Sequence, residues 1–383
     1  MRLEVRLPLA AVLLVLTGCT PSVEQGFGPE ADFTVSTGGG GPCGVVLHDF
    51  NGDAATDIAL SHIHSSTVTV LLGLGDGSFM ATWHEFPQLG PVLAGQELGV
   101  IAAGHLDGDE YIDFAVTSGV TNEVTLITHP GHNLIESSFA TSSYPVGEFP
   151  FGVVAADFNG DDQDDLAVSA GIGNDMRIFL QGPAGEFSLL ATYDVLGLEP
   201  GFVVTGDLDA DGVLDLVTSN HSSSSVSIFL GLGTGEFGAP AVYAVGDGPS
   251  SPELVDIDGD GDLDLMTANE YSDDISLLLG DGLGGFVAGE PFVFGLRPYF
   301  VSGLDVDSDG DIDLVVPLEG EDRLVTALND GSGGFDEVQY STTGQEPGSV
   351  VHDDFDGDGD VDIAVSNFRS DSLSIFLNRF DEL

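Results

Sequence analysis

The chain has 383 residues, 64 of them acidic and 7 basic, and its formal charge is −57. That field repels nucleic acid and anionic membrane surfaces, so neither is expected as a partner, and it favours cations. With 42% hydrophobic residues and 54 glycines, the composition excludes a disordered or membrane-embedded chain and fits a turn-rich β protein.

The N-terminus reads as a targeting segment. Arg2 and Arg6 flank the start of an apolar run from Leu7 to Leu16, too short to span a bilayer comfortably and suited to a signal peptide. It ends in Leu16-Thr17-Gly18-Cys19, which resembles a bacterial lipobox. That resemblance implies removal of residues 1–18 and lipidation of Cys19, which would anchor the protein without a spanning helix. The expected location is the bacterial envelope, at the outer membrane or cell surface or facing the periplasm. Residues 19–31 are polar and rich in Gly and Pro, as a lipid-bearing flexible tether should be. The globular domain is then 32–383. Cys43 is the other cysteine; with Cys19 acylated no intrachain disulfide is expected, and Cys43 reads as a small buried side chain.

The rest of the chain repeats. An acidic nonapeptide starts at Asp49, His105, Asp157, Asp207, Asp256, Asp305 and Asp354, and a glycine stands ten residues before each start, from Gly39 and Gly95 to Gly344. Seven residues before stands a proline in every unit but the second, where Leu98 takes its place. Landmarks that hold register over seven copies define a structural repeat.

Each unit predicts four short strands. An apolar run enters the acidic loop, a second follows it (Ile58-Ala59-Leu60 in the first unit), a polar turn leads to an alternating third (Val226-Ser227-Ile228-Phe229-Leu230 in the fourth), and a glycine turn precedes a phenylalanine opening the last. No segment has the period and length of a helix. Seven such units predict an all-β, seven-bladed β-propeller. The seventh unit stops after its third strand, and Asp32-Phe33-Thr34-Val35 lies where a fourth strand belongs. The N-terminal strand is therefore expected to complete the last blade and close the ring. Residues 80–98, with Trp83, His84 and Phe86, read as an insertion that breaks the repeat.

The acidic loop places carboxylate or amide oxygens at positions one, three, five and nine, a donor set for a hard cation such as Ca²⁺. Position twelve lies within a strand and is never the glutamate that an EF-hand requires. The unit G-x-x-P…D-x-D-x-D-G-x-x-D-L…G-x-G-x-F resembles the FG-GAP/VCBS-type repeats, calcium-loop propeller units also found in integrin α-subunit heads. The resemblance implies metal ligands at Asp49, Asn51, Asp53 and Asp57, and at Asp157, Asn159, Asp161 and Asp165. It implies four aspartates in each later unit: Asp207, Asp209, Asp211 and Asp215; Asp256, Asp258, Asp260 and Asp264; Asp305, Asp307, Asp309 and Asp313; Asp354, Asp356, Asp358 and Asp362. In the second unit His105 replaces the first ligand beside Asp107, Asp109 and Asp113, so a weak or empty site is expected there. The role expected for calcium is structural, with six strong loops.

The turns between second and third strands should lie on the opposite face. They carry His62, His64, Asn220, His221, Asn269, Tyr271, Asn367 and Arg369, the expected ligand face. His62 with His64, and His129 with His132, could hold a transition metal only by converging. No nucleophile elbow or other catalytic motif stands out from the acidic background. The expected function is a lipid-anchored scaffold for a protein or glycan ligand. The alternative is an enzyme on the same ring, such as a polysaccharide lyase or hydrolase, which would bring several perturbed titratable groups together at the channel mouth.

Overall fold

The structure is a computed structural model and describes residues 26–379 except 39, 66, 86–97, 129–130, 132–138, 332 and 336. Cys19, Gly39, Gly95, Phe86, His129 and His132 lie outside the described residues. Seven four-stranded antiparallel sheets follow one another along the chain as the blades of a ring. Among the described residues the one helical element is the 3-10 turn His221–Ser223, and no helix is long and apolar enough to cross a membrane.

Blade one shows the pattern: Pro42–His48 innermost, then Asp57–His62, Thr67–Gly73 and Phe79–Glu85. Residues of all seven blades line a central channel of about 470 Å³, walled by side chains such as Val45, Ile101, Val153 and Val350. Each second strand is buried along all six residues. The cause is visible in its packing. Ile58 and Leu60 face the core shared with blade seven, whereas Ala59 faces the core shared with blade two. A strand buried on both faces, with an apolar middle, is what a sheet sandwiched between two sheets demands. Blade-to-blade clusters of this kind fill all seven interfaces.

The ring closes as expected. Phe33–Ser36 pairs antiparallel with Ser372–Phe376 and completes the sheet of blade seven, with Phe33 opposite Ile375 and Ser36 opposite Ser372.

Two expectations need correction. The packed chain begins before Asp32: Phe27 is fully buried, edge-on to Phe376 at 6.4 Å, and belongs to the core between blades six and seven. Glu30 bridges Thr342 in parallel, and the Pro29 carbonyl accepts the Thr342 N–H at 2.9 Å. Residues 27–31 are therefore a fifth edge segment laid against blade six, not a tether; one aromatic side chain in a polar stretch was enough to fix it. The insertion is also shorter than 80–98, because residues 80–85 form the regular fourth strand of blade one, with Trp83 opposite Thr69.

Acidic loops and the opposite face

In the acidic loops the first aspartate turns its carboxylate back onto the loop. Asp354 Oδ1 accepts the N–H groups of Gly357 at 2.7 Å and Asp358 at 3.1 Å, and its Oδ2 accepts that of Gly359 at 3.1 Å. Asp49, Asp157 and Asp256 repeat this nest. It requires positive φ at positions four and six, supplied by Gly357 (79°) and Gly359 (103°) here, and by Ala210 (57°) and Ser308 (59°) where glycine is missing at position four. Burial pushes the Asp157 carboxyl up, but four backbone donors outweigh it and hold the group below its ordinary range.

The ninth aspartate has a second task. Asp362 is fully buried; its Oδ2 accepts the Phe355 N–H at 2.9 Å and its Oδ1 accepts the Asn378 N–H at 2.8 Å. It pins the loop to the end of the third strand. Asp57, Asp165, Asp215, Asp264 and Asp313 make the same pair of bonds. Burial pushes Asp57, Asp165, Asp215 and Asp313 up to about 6 and Asp362 to about 7, against the lowering effect of the backbone donors. Neighbouring aspartates raise them further.

The geometry fits a hard cation. Carboxylate oxygens of Asp207, Asp209 and Asp215 lie within 4.8 Å of one another, as do those of Asp305, Asp307 and Asp313, of Asp354, Asp356 and Asp362, and of Asp256, Asp258 and Asp260. Oxygens bound to one Ca²⁺ at about 2.4 Å can be no farther apart than about twice that length. These acidic clusters could bind a metal. In blade two the His105 ring stands where the first carboxylate would be, and its Nδ1 lies 3.2 Å from the Tyr111 carbonyl oxygen, at position seven of the loop. The imidazole thus occupies the backbone oxygen that calcium would take in the other loops.

Each loop also couples to its neighbour. The Gly77 N–H of blade one donates to the Phe355 carbonyl at 3.0 Å, across the closure, and Phe79 meets Phe355 edge-on at 5.5 Å. Blades three and four repeat both contacts through Gly235, Phe158 and Phe237. A cation that orders one loop therefore orders an interface between two blades.

The opposite face differs from the expectation at four residues. His62, Asn220, Asn269 and Asn367 are fully buried rather than presented to solvent. They end the second strands and turn inward: Asn367 Nδ2 donates to Ser372 Oγ at 3.2 Å and Ser374 Oγ at 3.0 Å, and His62 Nε2 lies 2.9 Å from Thr69 Oγ1. His64, by contrast, is exposed and packs on Phe368 at 5.2 Å, so His62 and His64 do not converge. His221, Tyr271 and Arg369 do reach the surface, with Tyr271 60% exposed.

A second ring was invisible from sequence. The residue before each inner-strand proline is left-handed, including Phe149 (φ 56°), Glu199 (55°), Arg297 (54°) and Glu346 (53°), where blades one and five have Gly41 and Gly248. Its N–H is held by the turn residue of the preceding blade: Asn122 for Phe149, Asn174 for Glu199, Asp273 for Arg297 and Asp322 for Glu346, at 2.8–2.9 Å. The two glycines before prolines were the signal that could have exposed it.

Two of these left-handed residues, Phe149 and Glu199, rim a cavity of about 510 Å³ at the channel mouth, walled also by Phe151, Phe202, Tyr271 and Tyr299. At its edge Arg297 pairs with Glu270 and, at 3.1 Å, with Glu319, and His221 Nε2 lies 3.5 Å from Glu270 Oε2. The hydrogen bond from His221 holds Glu270 low despite burial, and the same bond raises His221. Arg369 pairs with Glu346 at 2.9 Å. Within the channel Glu253 is the ionisable wall residue, pushed up to about 7 by burial.

Comparison with known proteins agrees with this architecture. An FG-GAP-like repeat model matches residues 207–267, 256–316 and 305–365. No curated protein sequence matches the chain. Among solved structures, virginiamycin B lyase from Staphylococcus aureus aligns over 91% of this chain and 99% of its own, at 13% identity and a TM-score of 0.61. The BBS1N chain solved in complex with ARL6DN aligns over 92% and 97%, at 12% identity and 0.62. An Agrocybe aegerita lectin specific for non-reducing terminal N-acetylglucosamine aligns over 85% and 86%, at 16% identity and 0.51. At these identities the likeness is one of fold.

Proposed function

We propose that this chain, an FG-GAP-repeat β-propeller protein, is a calcium-braced binding scaffold of the bacterial envelope, tethered through Cys19 and offering its turn face to a protein or glycan. Six loops would hold Ca²⁺ through their aspartates, Asn51 and Asn159, with a structural role, because each loop also joins two blades. The observation that carries the reading is the aromatic-walled cavity of about 510 Å³ on the face opposite the acidic loops. Pockets of this size and lining, on a rigid frame, suit ligand capture.

The enzyme reading is weaker. The titratable groups Glu270, His221 and Arg297 at the mouth are paired with one another and held in their charged forms, and groups so held are poorly placed for proton transfer. A propeller lyase and a propeller lectin share this shape, so fold alone does not choose between them.

A glycan and protein array with and without Ca²⁺ tests the proposal. Binding that needs calcium and is lost in Tyr271→Ala supports it. Binding that survives the substitution moves the site to another face.

A further inference from the structure

Resting on that reading of the turn face, we infer that the cavity between blades three and six receives a quaternary ammonium group. Three of its walls are rings held edge-to-face: Phe151 and Phe202 at 5.1 Å and 86°, Phe202 and Tyr299 at 6.1 Å and 79°. Aromatic faces carry negative potential and attract a desolvated cation. The charge around the cavity has the matching sign. Glu270 is already neutralised by Arg297 and His221, but Glu199 at the rim accepts only the Ser222 hydroxyl, and no basic side chain among the described residues pairs with it. One carboxylate is left for a guest.

The interior narrows the guest further. Ser219 lines the cavity, is fully buried, and its Oγ has no hydrogen-bond partner. The neighbouring Ser250 hydroxyl is already committed to the Tyr299 carbonyl, at 2.5 Å. A polyhydroxylated sugar would leave unpaired those of its hydroxyls that face the rings, which is costly. A primary ammonium must direct all three of its N–H groups at acceptors, which the ring side of the cavity does not offer. A trimethylammonium head needs no hydrogen bonds: its methyl groups pack on the rings, its charge is met by Glu199, and an adjoining hydroxyl or ester oxygen on the guest can reach Ser219.

The experiment is titration calorimetry of the calcium-loaded full chain with choline and with its neutral isostere 3,3-dimethylbutan-1-ol. Choline should bind about tenfold more tightly than the isostere, and Tyr299→Leu and Glu199→Gln should each remove most of that difference. Glu199 is exposed, so Glu199→Gln keeps the test available if Tyr299→Leu fails to fold. Sedimentation with phosphatidylcholine vesicles then separates a lipid-borne head from a soluble one. Equal affinity for choline and the isostere, or no heat from choline, overturns the inference. A ligand from the array that needs Tyr271 but is not displaced by choline sinks the ammonium inference and leaves the binding face standing. Neither kind of binding at this face removes both.

Discussion

Asp371, in the outer turn of the last blade, accepts the backbone N–H of Gly41 in the first blade at 2.8 Å, a bond between residues 330 apart in sequence. Asp322 holds Glu346 in the same way inside the ring, at 2.9 Å. The seam is therefore latched by the same device as the other joints. Asp371→Ala should cost about 1 kcal/mol in urea unfolding, close to the loss in Asp322→Ala. Hydrogen exchange should quicken across Phe33–Ser36 only in the first variant. A seam variant with unchanged exchange there would show that the strand pairing alone closes the ring.

Phe27 is the second anchor of the N-terminal segment. Phe27→Ala should destabilise the protein by about 3 kcal/mol or more, as for other fully buried aromatics. A loss near zero in urea unfolding would return residues 27–31 to a tether.

Calcium removal should loosen all blades together. At ten times its dissociation constant each bound ion stabilises the folded ring by about 1.4 kcal/mol, and six loops act on neighbouring interfaces. Excess EDTA should lower the thermal midpoint by many degrees, and an unchanged midpoint would contradict the structural role of the ions.

His105→Asp should install a seventh site. It restores the first carboxylate beside Asp107, Asp109 and Asp113 and releases the Tyr111 carbonyl from the imidazole. Calorimetric stoichiometry should rise by one Ca²⁺ per chain. No increase would mean that blade two is closed to metal for another reason.

His62 supplies a pH signature. Burial lowers its pKa from 6.5 to about 4, with Asp371 pulling the other way. The unfolded chain therefore binds the proton more tightly, so stability is fully present above pH 6.5 and lost as pH falls towards 4. The loss is roughly 3 kcal/mol. His62→Asn places there the residue that blades four, five and seven already use. The difference between wild type and variant should grow on acidification over that window, and a pH-independent difference would show that the histidine is not buried neutral.

Much of this architecture was legible because a propeller repeats its grammar. The acidic loop, the glycines at its left-handed positions and the truncated seventh unit specify blade number and closure. The site was less legible. Asn220, Asn269 and Asn367 look like surface polar residues in sequence, yet each donates to a serine hydroxyl within its own blade, a contact set by where the strand ends. Phe151, Phe202 and Tyr299 pass for core because they sit in apolar runs, and only the ring gathers them at one mouth. Phe27 was hidden by polar neighbours that obscured its single buried ring.

Where the chain enters the ring gives the molecule a bearing. Going from Phe27 to Pro29 it runs alongside Gln339 to Thr342, towards the turn face, and Phe27 itself packs beside Val306 in the acidic loop of blade six. The described chain thus enters the ring from its acidic-loop side, away from the aromatic cavity on the turn face.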